Sequence, residues 1–114
     1  VVIGSGDIVE DIMDDFVAKL ELKPIISTLL RLHFEKKYQE KMNSYSAFLA
    51  AKEIAIPVLV IHDNNDPEVP VKAGIHIHKY LKNGELLLTD GLGHRKILGN
   101  HKVIEKTVQF IQNK

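Results

Sequence analysis

Two polar loops of the sequence contain an acid and a base that together can move protons. The stretch "DNNDPEVP" (63–70) contains Asp66, and the stretch "DGLGHRKIL" (90–98) contains His94. An aspartate that accepts a hydrogen bond from one ring nitrogen of a histidine fixes the tautomer of the ring and stabilises the imidazolium ion. The other ring nitrogen can then take a proton from a nucleophile. The pair is therefore a candidate base for nucleophilic catalysis, provided that the fold brings the two loops together.

The elements before the two loops predict that they meet. Residues 57–62 ("PVLVIH") and 85–89 ("ELLLT") are short apolar runs typical of parallel strands covered on both faces. A helix from Pro70 to about residue 81 is predicted between them. Because a βαβ crossover makes its two strands parallel neighbours, about 4.8 Å apart, both loops fall at the carboxyl edge of the sheet. Glycines at positions 91 and 93 allow the backbone angles that bring the His94 ring over this edge towards Asp66.

The first half of the chain predicts a strand followed by a helical segment. "VVIGSG" (1–6) is typical of a buried strand that ends in a turn, and residues 7–55 show helical periodicity without a strand signal. Ser5 or Asp7 is the expected cap of the first helix. The apolar stripes of the first two helices are expected to be mostly core, with substrate lining as the alternative reading. The candidate lining residues are Ile12, Phe16, Leu29 and Leu30.

Composition limits the classes of function that remain open. The 114 residues suffice for one domain, and 45% hydrophobic with 26% charged residues is the profile of a soluble globular protein. Basic and acidic residues each total 15, so no net charge favours nucleic acid or an anionic membrane. The acidic run of residues 7–15 is expected to be the solvated face of a helix. No apolar run approaches the roughly 18 residues of a membrane span. The lack of cysteine excludes thiolate catalysis and cysteine-ligated zinc, and it is compatible with a reducing cytoplasm.

The same residues also have non-catalytic interpretations. Asp66 and His94 taken singly are compatible with ordinary loop residues. "DNNDPE" resembles a calcium loop, but the required sixth-position glycine and twelfth-position glutamate are replaced by Glu68 and Gly74. His76 and His78 are two apart on a predicted helix and face different sides, so solvent or edge positions are expected there rather than a metal pair. His62 is expected to be a hydrogen-bonded structural residue, and no metal site is predicted.

Longer stretches of the sequence resemble the carboxyl-terminal portion of the α/β-hydrolase superfamily. "IPVLVIHDNNDPEVP" (56–70) is similar to its penultimate strand and acid loop, and "ELLLTDGLGHRKIL" (85–98) to its last strand and histidine loop. The resemblance implies an α/β fold class: a partial α/β-hydrolase fold with about three parallel strands, flanking helices and a helical lid insertion. It divides the chain into a strand before the lid (1–6), the lid (7–55) and a βαβα part of the core (56–114). It also implies that Asp66 is the triad acid and His94 the triad base.

The sequence departs from the family at the nucleophile. The G-x-S-x-G elbow is absent, and Ser5 in "IGSGD" lacks the two-residue glycine spacing. Since the family order is serine, then aspartate, then histidine, the serine is expected upstream of Val1. A chain that opens inside a strand without an initiator methionine is likewise expected to be a piece of a longer protein.

Two functions follow from these expectations. The first is the carboxyl-terminal part of a serine hydrolase, an esterase or lipase that hydrolyses a small ester-type substrate and needs no cofactor. The second is a non-catalytic fragment that binds a partner or forms a homodimer through the exposed edge of the "VVI" strand, or a non-hydrolytic protein of the same fold.

Overall fold

The computed structural model, which describes residues 1–113, has one strand and three helices, followed by a strand, a helix, a strand and a last helix. Lys114, the last residue of the predicted segment 56–114, lies outside the described residues. The strands are β1 (Val2–Ile3), β2 (Val58–Asp63) and β3 (Gly84–Thr89). The helices are α1 (Val9–Lys19), α2 (Ile25–Tyr38), α3 (Ala47–Glu53), α4 (Val71–Tyr80) and α5 (His101–Gln112), with 3-10 helices at Met42–Tyr45 and Lys96–Gly99.

The strands form one parallel sheet with β2 in the centre. The order is β1-β2-β3, and Asp63 at the end of β2 lies opposite Thr89 at the end of β3. The chain crosses from β2 to β3 through α4, so the loops that follow both strands leave the same edge of the sheet. The predicted α/β arrangement of three parallel strands with flanking helices is confirmed.

The central strand has apolar side chains on both faces, which explains its unbroken apolar run. One face of β2 packs with the 3-10 helix at Lys96–Gly99 and with α5, and the other packs with α3 and α4. The first cluster contains Leu59, Ile61, Ile97, Val103 and Phe110, and the second contains Ala51, Val58, Val60 and Ile77. Because these two layers hold β2 in place, the loop that leaves its carboxyl end starts from a rigid point.

The first helix begins differently from the prediction, and neither Ser5 nor Asp7 caps it. Its first amide groups instead donate to side chains of the Met42–Tyr45 region: Val9 N to Ser46 Oγ and Glu10 N to Asn43 Oδ1, both at 3.1 Å. The Asp7 carboxylate accepts from Phe48 N at 2.7 Å, which places it at the start of α3. Asp7 is also buried, so it does not belong to the solvated acidic face.

The expectation that the apolar stripes of α1 and α2 are mostly core is wrong for the described residues. Ile12 and Phe16 on α1 are 51% and 58% exposed, Leu20 directly after α1 is 53% exposed, and Leu29 on α2 is 55% exposed. The two helices contact each other along a narrower face that includes buried Val17, and no described element covers the outer faces. Despite this apolar surface, none of the helices described within residues 1–113 is long and apolar enough to span a membrane.

Candidate active site

The structure brings Asp66 and His94 together at the carboxyl edge of the sheet. Asp66 Oδ2 lies 2.8 Å from His94 Nδ1. Because an ionised carboxylate only accepts hydrogen bonds, Nδ1 carries the proton and donates it. The Asp66 side chain is 1% exposed and the His94 ring 33% exposed, so the acid is enclosed while the ring stands at the surface. This is the arrangement that an acid–base dyad requires.

Backbone amides fix the second oxygen of Asp66. Oδ1 accepts from Glu68 N at 2.8 Å and from Val69 N at 2.9 Å, so the carboxylate is held by its own loop. Burial by itself raises the pKa of the Asp66 carboxyl. The hydrogen bonds from Val69, His94 and Glu68 and the attraction to the His94 ring together outweigh burial and hold this pKa below its usual range. The acid is therefore ionised when the ring needs a negative partner.

The outer nitrogen of His94 is the atom available for chemistry. Nε2 points away from Asp66 and lies 3.5 Å from Glu68 Oε2. The other Glu68 oxygen lies 3.3 Å from the Arg95 guanidinium, and both side chains are solvent-accessible. An exposed carboxylate in this position is weakly held, and a reacting hydroxyl group can replace it.

Gly4, which the sequence predictions did not single out, packs against the dyad. It adopts φ +61°, and a Cβ atom there would lie 3.3 Å from both Cε1 and Nδ1 of His94. Both the positive φ and this tight contact favour glycine where the loop after β1 approaches the ring. The available signal was the Gly-Ser-Gly stretch directly after a strand that ends at the same sheet edge.

Asp63 is a second buried acid at this edge, and the sequence predictions missed it. It is fully buried and accepts four hydrogen bonds from the ends and loops of β2 and β3. Burial raises the pKa of its carboxyl, but the donors, led by the Thr89 hydroxyl, reverse this and lower the pKa to about 2. Three of the donors are backbone N–H groups, which no residue pattern displays.

His62 is a structural residue, as its position at the end of a buried strand suggested. Its Nε2 donates to the Val69 carbonyl oxygen at 2.9 Å and lies 3.5 Å from Asp66 Oδ2. Its buried Nδ1 has no hydrogen-bond partner within residues 1–113. The ring faces α4, where a Cβ atom on Gly74 would lie 2.7 Å from Nδ1. Gly74 thus leaves the space in which His62 supports the acid loop.

Substituting Gly74 by alanine is expected to lower the free energy of unfolding by about 1–2 kcal/mol. A Cβ atom 2.7 Å from the buried His62 ring falls in the upper part of the about 1–3 kcal/mol that overpacking costs, and the better helix propensity of alanine returns about 1 kcal/mol. Gly99→Ala is the control, because a Cβ atom there meets no atom within 4 Å. Urea denaturation of the three proteins measures the effect. Equal stability of Gly74→Ala and Gly99→Ala would contradict the crowding of His62.

The two histidines of α4 form contacts of their own, and a cavity lies beside this helix. His76 is bonded through Nδ1 to buried Asp7 rather than simply solvated, whereas His78 Nε2 lies 3.3 Å from the Gly84 carbonyl oxygen. A cavity of about 520 Å³ lies between α1 and α4, and its wall includes Ile12, His76 and Glu68. Residues 1–113 contain no group of three or more histidine or acidic side chains placed to hold a metal ion.

The remaining candidate lining residues lie away from the dyad. Phe16, Leu29 and Leu30 are exposed and do not line the cavity between α1 and α4. A second cavity of about 550 Å³ separates α1 from α2, but its wall includes no residue of the acid or histidine loop. Of the four candidates, Ile12 is therefore the one that shares a cavity wall with a neighbour of His94.

Comparisons with known proteins agree with the fold. Residues 35–113 match a family model described as TAP-like protein. The chain is also similar to a crystal structure from Mycobacterium tuberculosis H37Rv, that of BpoC, provisionally assigned as a non-heme bromoperoxidase. The identity is 26% and the TM-score 0.52, over 65% of this chain and 28% of that one. The chain thus matches less than a third of the length of that structure. No curated protein matches the chain.

Proposed function

Since the chain belongs to the TAP-like family and is part of the carboxyl-terminal portion of an α/β-hydrolase, we propose that it supplies the acid and the base of a serine hydrolase acting on ester-type acyl compounds. The observation that supports this proposal is the contact of 2.8 Å between buried Asp66 and the partly exposed His94 ring. Because a fold alone does not determine chemistry, the proposal depends on the Asp66–His94 dyad.

The proposed reaction uses His94 twice. A serine hydroxyl attacks the acyl carbon while His94 Nε2 takes its proton, and Asp66 stabilises the imidazolium ion so formed. The imidazolium then gives this proton to the leaving alcohol. In the second half, Nε2 takes a proton from water, water attacks the acyl-enzyme, and the proton returns to the serine oxygen as the acid departs. No cofactor takes part in these steps.

The nucleophile and the oxyanion donors of this scheme lie in sequence upstream of Val1. The 114 residues contain no G-x-S-x-G elbow, and Ser5 bonds its hydroxyl to the neighbouring Gly6 carbonyl oxygen. A hydroxyl approaching Nε2 would take the place near His94 that the exposed Glu68 carboxylate occupies. The segment 7–55 is proposed to be the lid of the same hydrolase.

The cavity between α1 and α4 is the proposed pocket for part of the substrate. Its volume of about 520 Å³ lies within the usual range for small-molecule sites. Its apolar wall includes Ile12, Val69 and Ala73, and Glu68 belongs both to this wall and to the surroundings of His94 Nε2. Glu68 thus joins the wall of this cavity to the surroundings of the reacting nitrogen.

Self-association through β1 is the second candidate and has less support. Within residues 1–113, β1 pairs on one side only, with β2. An open strand edge can pair with another chain, but β1 has two residues and therefore offers few backbone groups.

Ester hydrolysis by a polypeptide extended upstream of Val1 tests the proposed function. The extended polypeptide is expected to hydrolyse p-nitrophenyl butyrate and to react at one serine with a fluorophosphonate, while residues 1–114 alone do neither. Absence of both reactions in the folded, extended polypeptide would overturn the proposal. Hydrolysis by residues 1–114 alone would instead overturn the upstream position of the nucleophile.

A further inference from the structure

Every residue of the stretch Asp63–Asp66 bonds to the loop that carries His94. Asp63 accepts from Leu92 N and Gly93 N, each at 3.0 Å. Asn64 Nδ2 donates to Asp90 Oδ1 at 2.8 Å, and Asn65 Oδ1 accepts from Gly91 N at 3.1 Å. We call residues 63–65 the clasp. Asp66 touches the His94 ring itself, whereas the clasp bonds to the residues before the ring, at the Asp90 side chain and at the backbone amides of residues 91–93.

Asp63 is the buried member of the clasp. It has no exposed surface, while Asn64 and Asn65 are exposed. Its Oδ1 accepts from the Thr89 hydroxyl at 2.6 Å and from Leu92 N, and its Oδ2 accepts from Asn65 N and Gly93 N. A carboxylate has about four acceptor sites, and all are filled here. Charge-assisted bonds in a buried place are stronger than exposed neutral ones, so Asp63 dominates the clasp.

The histidine loop needs such an anchor because its own sequence does not determine its path. Gly91 and Gly93 adopt φ +76° and +67°, and glycine populates many other backbone angles in the absence of contacts. Two of the amides before His94 donate to Asp63, and the last of them belongs to Gly93, its immediate neighbour. Without Asp63 these amides lose their buried hydrogen-bond acceptor. The backbone that carries the His94 ring is then no longer held in place.

We propose that Asp63 is a positioning residue for His94, acting through the backbone of Leu92 and Gly93 to keep the ring within reach of Asp66. The inference rests on the proposed function for its consequence in catalysis, but its geometric part is independent of any activity. A shift of about 1 Å in a reacting group can lower a rate by about 100-fold, so a loop anchor can matter as much as a contact with the ring.

Nuclear magnetic resonance of residues 1–114 tests the geometric part. The proton on His94 Nδ1 is expected to give a low-field resonance in the unsubstituted chain. Asp63→Asn places an amide donor against N–H donors, so this resonance is expected to shift or disappear while the methyl signals of Leu59 and Ile97 stay in place. Glu105→Gln is the control, since it makes the same acid-to-amide change at an exposed position on α5, away from both loops. An unchanged His94 resonance in folded Asp63→Asn would overturn the proposal.

A milder variant covers the case in which Asp63→Asn does not fold. Thr89→Val removes one donor from Asp63 and keeps the side-chain shape, so a smaller shift of the same resonance is expected. If folded Thr89→Val leaves it unchanged as well, the proposal fails.

Kinetics of the extended polypeptide test the catalytic part. Asp63→Asn is expected to lower kcat by about 10- to 100-fold with KM changed less than about threefold, since the loss concerns alignment and not substrate binding. Glu105→Gln is expected to retain kcat within about twofold. An extended polypeptide without hydrolysis would overturn the proposed function while the resonance still decides whether Asp63 positions His94. An unchanged kcat in Asp63→Asn would overturn the catalytic part.

Discussion

Replacing His94 by alanine in the extended polypeptide is expected to lower kcat/KM for ester hydrolysis by about 10³- to 10⁴-fold, because the serine then has no base. His94 is bonded to a buried carboxylate at the carboxyl edge of the sheet, and its ring is one third exposed. The substitution removes Nε2 without creating a cavity in the core, because one third of the ring is in solvent. The loss is therefore expected to be mainly kinetic, and the protein is expected to stay folded with a modestly lower melting temperature, because buried Asp66 Oδ2 loses one hydrogen-bond donor.

His33→Ala controls for the loss of an imidazole elsewhere. His33 lies exposed on α2, and its replacement is expected to leave kcat/KM within about twofold. The fluorophosphonate reaction adds a second readout, since a serine without its base reacts slowly with this reagent too. Hydrolysis at the unsubstituted rate by His94→Ala would exclude His94 as the base.

The meeting of Asp66 and His94 was predictable from sequence because it depends on topology. Two continuous apolar runs and a helix between them specify parallel neighbouring strands, and the crossover rule then places both following loops at one edge. The observed register, with Asp63 opposite Thr89, leaves the two loops level with each other. No side-chain detail is needed for this step, which is why the residue pattern was sufficient.

The supports of the dyad were not predictable, because their partners are backbone groups or distant residues. Asp63 bonds to the amides of Leu92 and Gly93. The sequence shows an aspartate at position 63, but it does not show whether the carboxylate faces water or accepts four hydrogen bonds. Asp7 appeared to belong to an acidic helix face. It instead bonds to His76, which is 69 positions away in the sequence. Burial of such acids depends on donors that the fold assembles.

Helix periodicity showed which faces of α1 and α2 are apolar but not what covers them. Phe16 and Leu29 follow the helical repeat, yet both are more than half exposed in residues 1–113. An amphipathic pattern predicts which face of a helix is apolar, but it does not predict which other element packs against that face. The same limit applies to the lining of a substrate pocket, for which Ile12 has a cavity beside it and Phe16 does not.

Replacing Asp66 by asparagine is expected to lower kcat by about 10³- to 10⁴-fold with little change in KM, because it reverses the tautomer of His94. Two backbone N–H groups point at the Oδ1 position, so the amide oxygen takes that place. The amide nitrogen must then face His94 Nδ1 and donate to it. The proton moves to Nε2, and the nitrogen that should accept from serine becomes a donor.

The tautomer change is measurable apart from activity. Nitrogen-15 spectra of the His94 ring in residues 1–114 are expected to show a protonated Nδ1 in the unsubstituted chain and a protonated Nε2 in Asp66→Asn. Glu105→Gln makes the matched acid-to-amide change at an exposed position on α5, and there both kcat and the ring spectrum are expected to be unchanged. If Asp66→Asn keeps the proton on Nδ1 and retains kcat, Asp66 does not orient His94. A changed tautomer with retained kcat would instead mean that the ring is oriented by Asp66 but is not the base.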